Sequence, residues 1–332
     1  MFRLICILVC LNITFHVAAQ KLIKFTPTVF YNSFSLNAQP GLHIRSGDTV
    51  QTETIDAMGR DKNGIKRQHG GNPLTGPFYI EDSKAGDILK VTLTKVALNR
   101  SYAYTSESFV SRSMPDSISK QFKKPHLVKW KLDSEKSVAS VDSSFTDYPH
   151  LKNFKAPLKP FVGCIGVAPI NKHNEILSFF QGNFGGNLDF SSITQSSTIY
   201  LPVLHDGAYF YIGDGHAVQG DGEIAGNALE ASLDVDFTIT LIKSNGIIKY
   251  PRVEDSVYIM SLGTGKTLED ATKIATSGLL DWLKQDYHIS LAEATQIMST
   301  TIEYSIAEIA DPEVMVAAKI KKQLLKSLEK IQ

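Results

Sequence analysis

The sequence predicts a mainly-β body of sandwich or jelly-roll type, with a smaller α+β part at its C-terminal end. Two observations carry this. Up to about residue 255 the apolar residues recur with the period of two that marks half-buried strands, in short runs punctuated by Gly and Pro. Beyond that point the spacing becomes helical.

Asp87-Ile88-Leu89-Lys90-Val91-Thr92-Leu93-Thr94-Lys95-Val96 alternates apolar and polar residues after a turn at Ala85-Gly86. Residues 198–203 and 208–212 read as further strands. Leu233–Ile242 alternates almost without fault, with Asp234, Asp236, Thr238 and Thr240 on the face away from the core. The polar, Ser- and Lys-rich stretch 101–160 reads as long loops with a hairpin around 127–141. In the C-terminal part, Ala271, Ile274, Ala275, Leu279, Leu280 and Leu283 predict a helix over 267–287, with Glu269 and Asp270 in its first turn. Ser290-Leu291-Ala292-Glu293 is a capping-box start for a second helix. The expected organisation is a signal peptide over 1–19, a body over 20–255 carrying the chemistry, and a C-terminal part over 256–332 packed on it.

The leader is read from Arg3, the apolar run 4–15 and the small residues Val17-Ala18-Ala19, which place a cleavage before Gln20. The run is too short for a membrane span, which needs about 20 apolar residues. The expectation is export to the periplasm or medium, with no membrane attachment after cleavage. Lys+Arg and Asp+Glu both number 34, so the chain offers no electrostatic case for nucleic acid or an anionic surface. Cys6 and Cys10 leave with the leader, and the remaining Cys164 sits in an apolar run that reads as buried structure.

The chemistry concentrates between Asn183 and Glu223. Gly213-Asp214-Gly215-His216-Ala217-Val218-Gln219-Gly220-Asp221-Gly222-Glu223 is an unusual run beside apolar strands. In extended backbone, residues i and i+2 share a face, so Asp214 with His216, and Asp221 with Glu223, could converge on a divalent cation. A further carboxylate would then be free as general base. Zinc comes first for such mixed ligands, with manganese and nickel behind it and calcium for an all-oxygen set. The competing reading is a solvated hairpin of Asp-Gly turns. Asn183 and Asn187 each offer donor and acceptor to an amide substrate, or serve as turn residues. His43, His69, His126, His150, His173, His205 and His288 read as loop or surface residues. Gly263-Thr264-Gly265-Lys266-Thr267 lacks the spacing of a phosphate loop, and no Gly-x-Ser-x-Gly elbow is present.

Seven ordered motifs resemble the acetamidase/formamidase family along nearly the whole chain after the leader. They are Glu53-Thr54-Ile55-Asp56-Ala57, Asn72-Pro73-Leu74-Thr75-Gly76-Pro77-Phe78-Tyr79-Ile80, Ala85-Gly86-Asp87, the run 160–169, Gly185-Gly186-Asn187-Leu188-Asp189, Tyr200-Leu201-Pro202-Val203 and the Gly213 to Glu223 string. The resemblance implies hydrolysis of a short aliphatic amide to carboxylate and ammonia, and assembly as a homo-oligomer such as a dimer. It adds Asp56 to the metal set Asp214, His216 and Asp221. Glu223 and Asp189 are the expected proton carriers, and Asn183 and Asn187 the expected substrate contacts. Phe184 stands where many members carry His, which puts the substrate in question. Two rivals remain at this level: a hydrolase of a larger amide, lactam or ureido compound, and a secreted binding module using the metal without turnover.

Overall fold

The computed structural model describes residues 20–122, 126–243 and 248–328; the expected leader lies outside them. The body is two large sheets packed face to face. In the nine-stranded sheet, Leu233–Ile242 is the third strand from one edge and pairs with Thr49–Glu53 on one side and Ile88–Leu98 on the other. The pairing with Ile88–Leu98 runs from Leu233 opposite Leu98 to Ile242 opposite Ile88. Alternation decides which residues go inside: Leu233, Val235, Phe237 and Ile239 are fully buried, while the residues between them reach solvent in part.

In the eleven-stranded sheet the central strand is Phe210–His216. It pairs with Phe161–Gly166 along one edge; along the other it meets Leu74–Ile80 and then Glu230–Ala231. The two sheets meet through aromatic rings: Phe237 stands edge-on to Phe78 at 5.2 Å and to Phe210 at 5.3 Å.

The run 208–212 was expected as a strand, but Ala208 and Tyr209 have φ of 54° and 52° and form the turn before it. The strand begins at Phe210 and continues through the polar Gly-Asp-Gly-His string. Gly213 and Gly215 make this possible. A Cβ at Gly213 would meet the Pro73 carbonyl at 2.6 Å, and one at Gly215 would meet the Ala231 carbonyl at 2.6 Å. The string is therefore buried sheet, not a solvated loop.

The hairpin expected at 127–141 is formed by Leu127–Asp133 and Val138–Val141. The helix Leu268–Tyr287 starts at Thr267, whose side chain accepts the Asp270 N–H, and Leu291–Thr301 carries the complete Ser290/Glu293 capping box. Strands of the C-terminal part, Tyr258–Gly265, Val314–Lys321 and Glu303–Glu308, continue the nine-stranded sheet. Their connecting turn, 309–313, brings Asp311 against Asn187 in the other sheet.

Candidate active site

Strand register assembles a buried cluster around His216. Cys164 lies opposite both Asn187 and Gly213, and His216 lies opposite Phe161 on one neighbour and Glu230 on the other. Asp214, His216 and Glu230 each present a ligand-type atom within 4.8 Å of the others, and so do Asp189, His216 and Glu223. His216 Nε2 is 3.6 Å from Asp214 Oδ1 and 3.4 Å from Glu230 Oε2; Nδ1 is 3.7 Å from Asp189 Oδ1. Asp189, Asp214, His216 and Glu230 are each no more than 2% exposed, and Glu223 is 7% exposed.

The imidazole's proton can be placed. Gln219 Nε2 donates to the carbonyls of Asp189 and Ala307, so its Oε1 is turned to His216 Nδ1 at 2.9 Å and must accept from it. In the neutral ring Nδ1 carries the hydrogen, and Nε2 offers its lone pair to the space shared with Asp214 and Glu230. Asp214 Oδ1, Glu230 Oε2 and Asp189 Oδ1 are buried without a hydrogen-bond partner. Burial without partners is costly for a carboxylate. Two such oxygens and an imidazole nitrogen facing one point are the donor set of a divalent cation, so the residues fit one. Glycine at position 163 leaves room for two of the carboxylates: a Cβ there would stand 2.5 Å from Asp189 Oδ1 and 2.8 Å from Asp214 Oδ2.

The electrostatics are those of crowded acids. Burial and then the neighbouring Glu223 raise Asp189 well above the usual carboxyl range. Burial raises Glu223, against the opposing pull of His216. Glu230 is raised in the same way, by burial and then, past the lowering effect of His216, by Asp214. Burial alone would lower His216, but Glu230 and Asp214 override it and hold the ring's proton to high pH. In every case the cluster calls for positive charge at its centre.

Three of the five residues also sit in left-handed backbone: Asp189 (φ 41°), Asp214 (φ 54°) and Glu223 (φ 46°). Such conformations cost about 1–3 kcal/mol each unless the surroundings enforce them.

Of the residues expected from sequence, Asp189, Asp214, His216 and Glu223 come together here. Asp221 does not. It is exposed, because the segment after Gly220 is a turn rather than extended chain; the Glu223 N–H bonds to the Gly220 carbonyl, and Glu223 alone turns inward. The i, i+2 argument therefore fails for that pair. Asn183 is also exposed, at the tip of the tight hairpin between Gln181–Gly182 and Gly185–Asn187.

Asn187 is buried, but its amide is fully committed. Nδ2 donates to Asp189 Oδ2 and Asp311 Oδ2, both at 2.7 Å; Oδ1 accepts from Cys164 Sγ at 2.7 Å and Asn72 Nδ2 at 3.1 Å. It holds the carboxylates in place and has no valence left for substrate.

Asp56 is buried outside the cluster. Its Oδ1 accepts the backbone N–H groups of Met58 and Arg60, and Arg100 Nη1 lies 2.8 Å from its Oδ2, an ion pair too bent for a hydrogen bond. Arg100 Nη2 in turn donates to the Glu230 carbonyl at 3.1 Å, so Asp56 braces the strand that presents Glu230. Phe184 packs edge-on to Phe34 in the core. His205 bonds the Pro169 carbonyl, and His69 is exposed.

Sequence reasoning missed Glu230, Asn72, Gln219 and the Glu308/Asp311 turn. The signal for Glu230 was present: a lone acid within Ala228-Leu229-Glu230-Ala231, directly before an alternating strand. Asn72 Nδ2 donates to Asp214 Oδ2 at 3.1 Å. A cleft of about 410 Å³ leads from solvent to Asn72 and Glu230. A larger cavity, about 840 Å³ beside Arg252 and Trp282, shares no residue with the cluster.

The sequence profile of the Acetamidase/Formamidase family matches residues 17–178 and 181–317. The chain belongs to this family. Among solved structures, the acetamidase of Yersinia enterocolitica is 29% identical, with a TM-score of 0.77 over 92% of this chain and 93% of that one. The acetamidase of Bacillus halodurans shares the fold at 23% identity, with a TM-score of 0.77 over 92% of this chain and 99% of that one. A candidate formamidase of Schizosaccharomyces pombe is 25% identical over 280 residues, 63% of this chain; the match spans 66% of that relative's length. The family is thus one of hydrolases acting on linear amides, and the mainly-β body with its C-terminal α+β part is its fold.

The turn that closes the cluster carries a pH signature. Burial raises Glu308 to about 7; burial and then Glu308 raise Asp311 to about 8. Carboxyls of the unfolded chain titrate near pH 4, so between about pH 4 and 8 the folded state binds more protons and stability falls as pH rises. In metal-free protein, the joint change Glu308→Gln and Asp311→Asn is expected to flatten the fall of Tm across that window. An unchanged slope would show that these carboxyls do not hold the protons.

Proposed function

We propose that the protein is an exported, metal-dependent amidohydrolase that cleaves the C–N bond of a small aliphatic amide, giving a carboxylate and ammonia. Family membership supports the amide chemistry. The observation that carries the metal is the convergence of Asp214 Oδ1, Glu230 Oε2 and His216 Nε2, with neither oxygen hydrogen-bonded. These three residues would hold the cation; their mixed nitrogen and oxygen donors suit zinc first, then manganese or nickel. When bound, the cation supplies Lewis acidity beside the scissile carbonyl.

The chain's own residues carry the rest. The hydrogen bond from Nδ1 to Gln219 holds His216 in the tautomer that leaves Nε2 open. Asn72 has both donor bonds committed to Asn187 and Asp214, and no described group donates to its Oδ1, which accepts the substrate's amide N–H. Glu223, raised by burial, takes a proton from the attacking water as the water oxygen bonds to the carbonyl carbon. The same proton passes to nitrogen as the C–N bond breaks, and ammonia leaves. Asp189 faces Glu223 across the cluster and shares its proton.

The test is ammonia release from formamide, acetamide and propionamide, with and without chelator. The expected result is release that chelator abolishes and added divalent metal restores, with His216→Ala and Glu230→Gln both losing at least about a thousandfold in kcat/KM together with their bound metal. Full release from metal-free protein would remove the metal from the reading. No release from any amide by metal-loaded protein would remove the amidase.

Export rests on the apolar run 4–15 and the small residues before Gln20. Among the described residues no helix is long and apolar enough to cross a membrane. N-terminal sequencing of protein recovered outside the cytoplasm is expected to begin at Gln20. A chain retained in the cell with its leader intact would contradict export.

A further inference from the structure

The cleft that leads to the cluster is walled by two cations that no carboxylate among the described residues neutralises. The loop 57–72 carries four basic side chains on a short hairpin. Lys62 is paired with Glu53 at 2.6 Å and Arg67 with Asp61 at 2.7 Å. Arg60 and Lys66 are not: among the described residues neither has an ion pair. The Arg60 guanidinium meets Met58 Sδ at 3.4 Å and the ring of Tyr104, 5.9 Å from its centroid. These two unpaired cations, and not the paired ones, line the 410 Å³ cleft that ends on Asn72 and Glu230.

The backbone sets them side by side. Arg60 and Lys66 form an antiparallel bridge. The flanking bonds, Asp61 N–H to the Ile65 carbonyl and Arg67 N–H to the Gly59 carbonyl, make it a non-hydrogen-bonded pair. In that arrangement the two side chains leave the same face at the closest cross-strand spacing. Like charges so placed repel, and the fold tolerates the pair without a carboxylate between them. An anion in the cleft would relieve the repulsion and find two donors.

The cleft is also larger than the smallest amides need. Acetamide occupies the room of about three waters, on the order of 100 Å³, a quarter of the space available.

We infer that the substrate is a short amide bearing a carboxylate at its far end, with its amide held at Asn72 beside Glu230 and its carboxylate held between Arg60 and Lys66. This rests on the amidase reading and narrows its substrate class. The polarity of the cleft fixes the orientation: the one acid in its lining, Glu230, is buried, and the cations sit on the hairpin, with Lys66 exposed.

The experiment compares kcat/KM for succinamate with that for butyramide, a neutral amide of similar length, in metal-loaded wild type and in three variants. Wild type is expected to prefer succinamate by about 10- to 100-fold, the worth of one or two hydrogen bonds to a charged group, and the preference should shrink as salt is raised. In Arg60→Gln/Lys66→Gln the ratio should fall to near one, through KM for succinamate. Lys66→Arg should keep the preference, and Lys66→Glu, which sets a carboxylate directly beside Arg60, should abolish it. Lys66 is exposed, so its changes leave folding intact, and matched thermal unfolding checks this for the double variant. Equal ratios in wild type and the double variant, with butyramide hydrolysed by both, would overturn the inference and leave the amidase standing. Ammonia from neither compound nor from acetamide would overturn the amidase reading and this inference with it.

Discussion

Asp189, Asp214, Glu223 and Glu230 are packed around one imidazole with almost no access to water, and three of their oxygens have no hydrogen-bond partner. Taking one carboxylate out of water costs several kcal/mol even after the protein relaxes, and each further one adds repulsion. Charge has to be balanced at the centre, by protons on the raised carboxyls and His216 or by a cation at the ring's Nε2. Much of the nearby sequence answers to this constraint. Gly163 leaves the space the carboxylates occupy, and Gly213 and Gly215 let a polar string run as a central strand. Asp189, Asp214 and Glu223 accept left-handed backbone to aim inward.

The support around the cluster comes from all parts of the chain. Asn187 uses its four hydrogen-bonding valences to tie Cys164, Asn72, Asp189 and Asp311 together, and Cys164 gives its thiol to this network. Burial, then the charges of Asp214 and Asp189, push that thiol's pKa well up, which suits a hydrogen-bond donor and not a nucleophile. The C-terminal turn closes the far side: Glu308 caps the N–H groups of Ala310 and Asp311, and Arg112 holds the carbonyls of Ile309, Asp311 and Pro312. The C-terminal part, read from sequence as packing structure, thus helps to build the site.

Much of the fold was legible because period-two burial leaves a direct trace in sequence. Leu233–Ile242 can be read off with its boundaries, and the helix expected over 267–287 to within one residue, Thr267 being its cap. The heart of the site was legible too, since Asp214 and His216 do share a face of one strand and come within 3.6 Å of each other. What failed was the same rule applied where the chain is not extended. Asp221 and Glu223 sit in a turn, and only one of them points inward. Asp56 lies in a matched motif, but its partner Arg100 is distant in sequence and turns it into a brace. Glu230 could not be joined to His216 from sequence, because that contact depends on strand pairing across fourteen residues.

Calorimetric titration of metal-free protein with zinc, in wild type and Glu230→Gln, tests the central claim most directly. The account predicts one tight site in wild type, proton release on binding as the imidazole gives up its Nε2 hydrogen, and at least about tenfold weaker binding in Glu230→Gln. Equal affinity in the two proteins, or no binding by wild type, would contradict it.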